Sequence, residues 1–419
     1  MAATPADLPI RRNTILLAGV MAVNSAVLQL VAAASSLTFV LVTGFEKLLG
    51  IGPAIFLTAS AITAFPAGRS MDRFGRVPVI AVGFVLSAAG CALTALGTAT
   101  ETAVPVIAGF ALIGSGAGIA LLIRTAAGDM YPPSRRARGI AYVLSGAIFG
   151  AILGPAVFSP LFSGKDELDA SILTIPWLGA GVLSLVALVL ALNVRPDPKR
   201  IAELIAPPDD GPALPAAPLK EIIRRPGVIP ALLAGFASMG VMVSVMNLTG
   251  YVVVDHRDHA QHLVFPIIGA HVFGMYALVL VIGPLIDRIG RTTSLAAGLV
   301  LMGISCVGIQ FFEGVWMTGV VLFGLGLGWN LSFVAATAQL ADRTSPSERG
   351  KLLGLNDLGS ALLGAGLALL GGYVLEAVGV AALALGAAAL VVLPVFWVFR
   401  LREVREKDSG GGRIRTSEG

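Results

Sequence analysis

Long apolar runs separated by short polar stretches set the pattern of this chain from residue 13 to residue 400. A helix crosses a bilayer with about 20 apolar residues. Runs of that order fall at 13–41, 51–69, 77–98, 103–127, 139–162 and 171–194. Six more fall at 228–254, 264–285, 292–311, 315–340, 350–375 and 379–400. Between the sixth and the seventh the sequence turns rich in proline and charge (R-P-D-P-K-R … A-P-P-D-D-G-P-A-L-P-A-A-P), which reads as a linker. The pattern predicts an all-α membrane protein of twelve transmembrane helices in two six-helix bundles. Residues 1–194 form the first bundle, 195–227 a cytoplasmic linker, 228–400 the second bundle, and 401–419 a disordered cytoplasmic tail.

Charge gives the pattern an orientation. The loops after the second, fourth, sixth, eighth and tenth spans, with both termini, hold nearly all the lysine and arginine. The opposite loops hold Lys47, Lys165 and Arg257 among acids such as Glu101, Asp166, Glu167, Asp169, Asp255, Asp258, Glu313 and Glu376. Basic loops stay cytoplasmic, so both termini are expected in the cytoplasm of a bacterial cell, with the protein in its inner membrane. Arg11 and Arg12 lead into the first run without a small-residue cleavage site, so no cleavable signal is expected.

Composition agrees with the pattern and narrows the function. The chain is 56 % hydrophobic and 13 % charged, with a mean hydropathy of +0.86. No catalytic triad, phosphate loop or pair of carboxylates stands out, so an enzyme is not expected. The net charge of +4 sits in loops where membrane topology puts it and calls for no nucleic acid. Cys91 and Cys306 both lie in apolar runs, with no C-x-x-C pair.

One stretch concentrates chemistry. Met239, Met242 and Met246 fall within eight residues, and all four histidines (His256, His259, His262 and His271) within sixteen. Residues four apart on a helix share a face, so Met242 stacks on Met246 and His271 on Met275. Thioether and imidazole suit copper, Cu(I) above all. Met also fills gaps between helices, and a lone intramembrane His can be a hydrogen-bonded core residue; the residues alone leave both readings open. His256, His259 and His262, among acids in an outward-facing loop, are candidates for an outer metal vestibule. Asn24, Ser25, Gln29, Asn247 and Asn330 are candidate cavity residues, with interhelical hydrogen bonding as the alternative. Arg124 is expected to pair with Asp129, and Asp357 to serve proton coupling or to pair with an arginine such as Arg349 at the cytoplasmic gate.

The two halves repeat. Gly68-Arg-Ser-Met-Asp72-Arg73-Phe-Gly75-Arg76 recurs as Gly283-Pro-Leu-Ile-Asp287-Arg288-Ile-Gly290-Arg291, and the segment opening on Asp129 is echoed by the one opening on Asp342. This G-x-x-x-D-R-x-G-R loop resembles the signature of the major facilitator superfamily, and Gly146-x3-Gly150-x3-Gly154-Pro155 resembles its fifth-helix motif. The resemblance covers the whole chain. It implies a cavity between the halves, alternating access, and gating by these two loops as charge-paired latches.

A narrower resemblance rests on M-x-x-x-M followed by H-x-x-x-M, with G-A-H-V-F-G-M-Y, G-L-G-W-N-L-S-F and G-L-N-D-L-G nearby. These are similar to the CcoA-like branch, whose founding members import copper for assembly of cbb3-type cytochrome oxidase. The resemblance implies Met242, Met246, His271 and Met275 as copper ligands. It further implies copper as cargo rather than cofactor, a monomer in the lipid bilayer, copper chaperones as partners and cuproenzyme assembly as purpose. Cysteines are implicated in that branch, and Cys91 and Cys306 lie away from the motifs. A sister branch is associated with riboflavin uptake. An organic-solute carrier, whether riboflavin-like uptake or proton-coupled drug efflux, is therefore the alternative, favoured if Trp329, Phe333 and Tyr276 face the cavity. A non-transporting receptor on the same fold is the third.

Overall fold

Bilayers admit only backbones that satisfy their own hydrogen bonds, and the chain meets that demand with helices throughout its spans. The structure is a computed structural model and describes residues 8–132, 135–163, 169–205 and 217–410. Eleven of its helical stretches are long and apolar enough to cross a membrane, and one bent pair completes a twelfth. In the first half these are α1 (Ile10–Thr43), α2 (Glu46–Phe74), α3 (Arg76–Ala99), α4 (Ala103–Asp129), α5 (Arg138–Phe162) and α6 (Ala170–Leu192). In the second they are α7 (Val228–His256), α8 (Gln261–Tyr276 with Val279–Ile286), α9 (Arg291–Phe311), α10 (Val315–Asp342), α11 (Gly350–Val378) and α12 (Val380–Val398).

The spans fall where the apolar runs predict, with three departures. The two segments of α8 meet at a 42° bend. The linker contains two short helices, Pro198–Ile205 and Leu219–Ile223. The last helix continues to Gly410, into the segment expected to be a tail without order. Lys165, Asp166 and Glu167, assigned above to an outer loop, and residues 411–419 lie outside the described residues.

At the basic end each half is stitched together by the repeated motif. Gly75 and Gly290 take φ of +100° and +88°, which a side chain resists, and so turn the chain sharply from α2 to α3 and from α8 to α9. Arg76, just past the first turn, holds Asp72 at 2.7 Å and Asp129 of α4 at 2.7 Å. Arg291 holds Asp342 of α10 in the same way. The motifs thus join helices within each bundle, with Asp72 paired to Arg76 of its own motif. The side chains of Asp287 and Arg349 lie outside the described set. Asp197 of the linker caps α3, accepting from the backbone N–H of Arg76 (3.1 Å) and Val77 (2.8 Å), while Lys199 Nζ reaches the Asp72 carbonyl at 2.6 Å.

The other end of the linker is tied to the second half. Arg225 grips Glu348 through both guanidinium nitrogens, at 2.7 and 2.8 Å. The same carboxylate accepts from the backbone of Ser345 (3.0 Å) and Ala217 (3.3 Å), closing a capping box at the start of the α11 helix. The Arg225 hydrogen bond is the largest cause that holds the Glu348 carboxyl down at about 2. A depressed carboxyl contributes stability above its unfolded value and loses it as pH falls toward the folded one. Thermal unfolding of the detergent-solubilised protein is therefore expected to lose stability between about pH 4.5 and pH 2. Glu348→Gln removes that part of the slope, and an unchanged slope refutes the assignment.

At the end opposite the basic loops the two bundles are sealed against each other. Gly250 of α7 lies so close to the Ala33 carbonyl of α1 that a Cβ has no room. Ser36 donates to the Asn247 carbonyl at 3.4 Å, Gln261 to the Ala33 carbonyl at 3.2 Å, and Ser159 to the His262 carbonyl at 2.6 Å. Phe265 packs on Phe158 and Phe162, at centroid distances of 5.8 and 5.4 Å. Gly250→Val wedges this contact open. A cysteine at Ser36, 2 % exposed here, is expected to react several times faster with an impermeant maleimide in that background; equal rates would refute the seal.

Candidate functional site

Helix phase decides which side chains meet. Met239, Met242, Met246 and Gly250 recur at three- and four-residue intervals and form one stripe of α7. Gly250 touches α1, so the methionine stripe faces the first bundle just below the seal. Met242 is buried and Met246 half-buried. On α8 the stripe that faces the first bundle carries Phe265 and Gly269; the latter lies against Ala151 and Pro155. His271 follows Gly269 by two residues, roughly 200° around the helix, and so points away from the first bundle toward α10. Its Nδ1 is 2.8 Å from the Leu322 carbonyl. Met275, one turn on, lies against Gly326 of α10.

The two expected ligand pairs therefore occupy different faces, and α10 is the wall they share. Met239 accepts a hydrogen bond from Trp329 Nε1 at 3.2 Å, and His271 and Met275 lie against the same helix one to two turns on. Met242 and Met275 belong to one buried cluster, with Met239 and Met246 packed at its edge. No hydrogen bond among the described residues links the methionine pair to His271. A carbonyl facing a ring nitrogen makes that nitrogen the donor, so Nδ1 carries the proton and Nε2 the lone pair. Nε2 is sealed from solvent with no partner.

The break in α8 is part of this site. The helix stops at Tyr276 and restarts at Val279, and Asn330 of α10 donates to the Met275 carbonyl at 2.6 Å. A side chain from a neighbouring helix thus satisfies backbone that the break exposes. Below it, Trp329 stacks on Phe333 at 5.4 Å and meets Tyr276 edge-on at 6.3 Å. Tyr276 packs on the cores of both bundles. Trp329 and Tyr276 adjoin the sulfur groups of Met239 and Met275, and Phe333 lies one turn further along α10.

The profile of the Major Facilitator Superfamily matches residues 13–268 and 260–417, nearly the whole chain. The chain belongs to the Major Facilitator Superfamily. It is 29 % identical over 353 residues to the Riboflavin transporter RfnT of Brucella anthropi, covering 83 % of this chain and 85 % of that one. It is 28 % identical over 373 residues to the uncharacterized MFS-type transporter YddS of Bacillus subtilis, covering 87 % and 85 %. A POT family transporter solved with 5-aminolevulinic acid matches with a TM-score of 0.74 at 11 % identity, over 94 % of this chain and 96 % of that one. The inward open xylose transporter XylE of E. coli matches at 0.73 and 15 %, with the same coverage. At such identities the likeness is one of fold.

In this MFS transporter the polar groups sort differently from the sequence expectation. Arg124 pairs across the bundles with Asp357, not with Asp129, which Arg76 has taken. Gln29 is fully buried; its amide donates to the Gly150 carbonyl at 2.6 Å and its Oε1 has no partner. Asn247 donates back to the Val243 carbonyl at 2.7 Å. Asn24 is buried in α1. The three loop histidines do not form one vestibule. His256 lies beside Asp255 and Glu376, His259 Nε2 meets the Glu313 carbonyl at 2.9 Å, and His262 lies against α5. A repeat of three in a loop has no fixed helical phase to bring them together. Asp197, Arg225 and Glu376 were missed, and only Asp197, just before Pro198, carries a local signal, that of a helix cap.

Proposed function

We propose that this MFS transporter carries copper into the bacterial cytoplasm by alternating access. His271, Met275, Met242 and Met246 are the ligands its cargo meets beside α10. The observation that carries this reading is His271, whose ring is fixed through Nδ1 while Nε2 is left buried and unpaired. Buried polar atoms are almost always satisfied, and a metal-binding imidazole commonly donates its other N–H to a backbone carbonyl. Thioethers nearby make Cu(I) the matching ion. Because the pairs lie on different faces here, closing all four around one ion requires α8 to turn or bend further at its break. Broken helices near the midplane are where transporters of this kind hold cargo. Charge asymmetry supports a cytoplasmic basic end, and in this reading the sealed end faces outward. Supply of copper to cuproenzyme assembly, the cbb3-type oxidase in particular, follows from the same resemblance.

A second reading has its own support. The Trp329, Phe333 and Tyr276 set suits a planar organic solute, and one relative is named a riboflavin transporter. Cells carrying the wild type are expected to accumulate copper, measured by mass spectrometry, above a vector control. Met242→Ile with Met246→Ile is expected to remove that gain at equal membrane abundance. Riboflavin accumulation without copper accumulation would sink the copper reading and leave the aromatic one.

A further inference from the structure

The sealed end carries a second donor set that the transport reading leaves unused. Asp255 and His256 close the α7 span, and Glu376 lies two residues before the end of α11. One ligand atom from each of the three lies within 4.8 Å of the others, and His256 Nδ1 is 3.4 Å from Asp255 Oδ2. The α7 helix ends in a π-turn over Val252–His256, a local widening that recurs at functional sites. Tyr251 lies edge-on to the His256 ring at 5.7 Å.

Charge and satisfaction both favour a cation here. Glu376 Oε1 is sealed from solvent and has no hydrogen-bond partner in the protein, and a bound cation would satisfy it. The adjacent cation, Arg257, turns away: its guanidinium donates to Thr318 Oγ1 at 2.9 Å and to the Ile309 carbonyl. Among the described residues no lysine or arginine forms an ion pair with Asp255 or Glu376; Asp255 has His256 and the Tyr251 hydroxyl beside it, and Glu376 brings a second carboxylate to the same place.

We propose that Asp255, His256 and Glu376 form a binding site for a divalent transition cation at the sealed mouth of the second bundle. Two carboxylates and one imidazole suit Zn(II), Cu(II) and their first-row neighbours, and hold no soft sulfur for Cu(I). All three residues belong to the second half, so the site persists when the bundles rock. It also stands whether or not copper is the cargo.

The test uses untagged full-length protein in detergent, titrated with cobalt(II) and read by visible absorption, then displaced with zinc. Saturable binding is expected, and His256→Gln and Glu376→Gln should each weaken it at least about tenfold. His259→Gln should leave it unchanged. Asp255→Asn serves as the third probe if either single variant elutes aggregated. A monodisperse wild type that takes neither cobalt nor zinc overturns the proposal, as does wild-type affinity in the His256→Gln, Glu376→Gln double variant. Cobalt binding retained in a protein that moves no copper in cells would dispose of the transport reading alone.

Discussion

His271→Asn is expected to abolish copper accumulation while leaving the protein in the membrane at wild-type abundance. The substitution separates two roles of one ring. An asparagine amide nitrogen reaches the position of Nδ1 and keeps the hydrogen bond to the Leu322 carbonyl, 2.8 Å long here. What disappears is Nε2, the buried lone pair with no protein partner. His271→Ala would also remove that hydrogen bond, at a net cost of about 1 kcal/mol, and would confuse lost ligation with lost folding. Loss of a ligand should lower uptake by at least about tenfold. Wild-type uptake by His271→Asn would show that the imidazole only packs α8 against α10.

The second large effect is expected at Asp357. Its ion pair with Arg124 joins the two bundles toward the basic end, and the side chains are 32 % and 37 % exposed. A pair this open to water is screened, so up to about 1 kcal/mol is the scale to expect. That is at most about a fivefold change in a two-state balance. Asp357→Asn should slow transport within that range and make a cysteine at Leu353, one turn away, more reactive from the basic side. The exchange Arg124→Asp with Asp357→Arg should recover most of both. An exchanged pair no better than the single variant would show that the Asp357 carboxylate has a role beyond holding the halves together.

Much of the fold could be read from the chain because a bilayer leaves few options. Twelve apolar runs become twelve spans, and the duplicated motifs mark the two halves. The residues of the stitches were visible, since Arg76 and Arg291, and Asp129 and Asp342, sit at matching places in the repeats, but Asp129 was expected to pair with Arg124 rather than with Arg76. That each arginine would choose the aspartate within its own bundle was not visible, because the choice depends on how α2, α3 and α4 approach each other. The candidate site was legible in residue type and not in phase. The stop in α8 after Tyr276 has neither proline nor glycine at residues 277 and 278 to announce it. The direction of His271 emerged only from the contacts of its neighbours, Gly269 and Phe265. Glu376 reads in sequence as an ordinary polar helix end, and only the approach of α7 to α11 gives it company.

The linker's anchors have a mechanical consequence. Asp197 fastens one side to α3 and Arg225 fastens the other to the start of α11. Between Ile205 and Ala217 the chain has roughly a dozen peptide units, which can reach about 40 Å when extended. That exceeds the ~30 Å thickness of a membrane's hydrocarbon core, so the length of the connection alone sets no limit on how far the halves tilt. What it fixes is stoichiometry, delivering one copy of each half to every molecule, while the force that orders the cycle passes through the seal, the Arg124–Asp357 pair and the lipid.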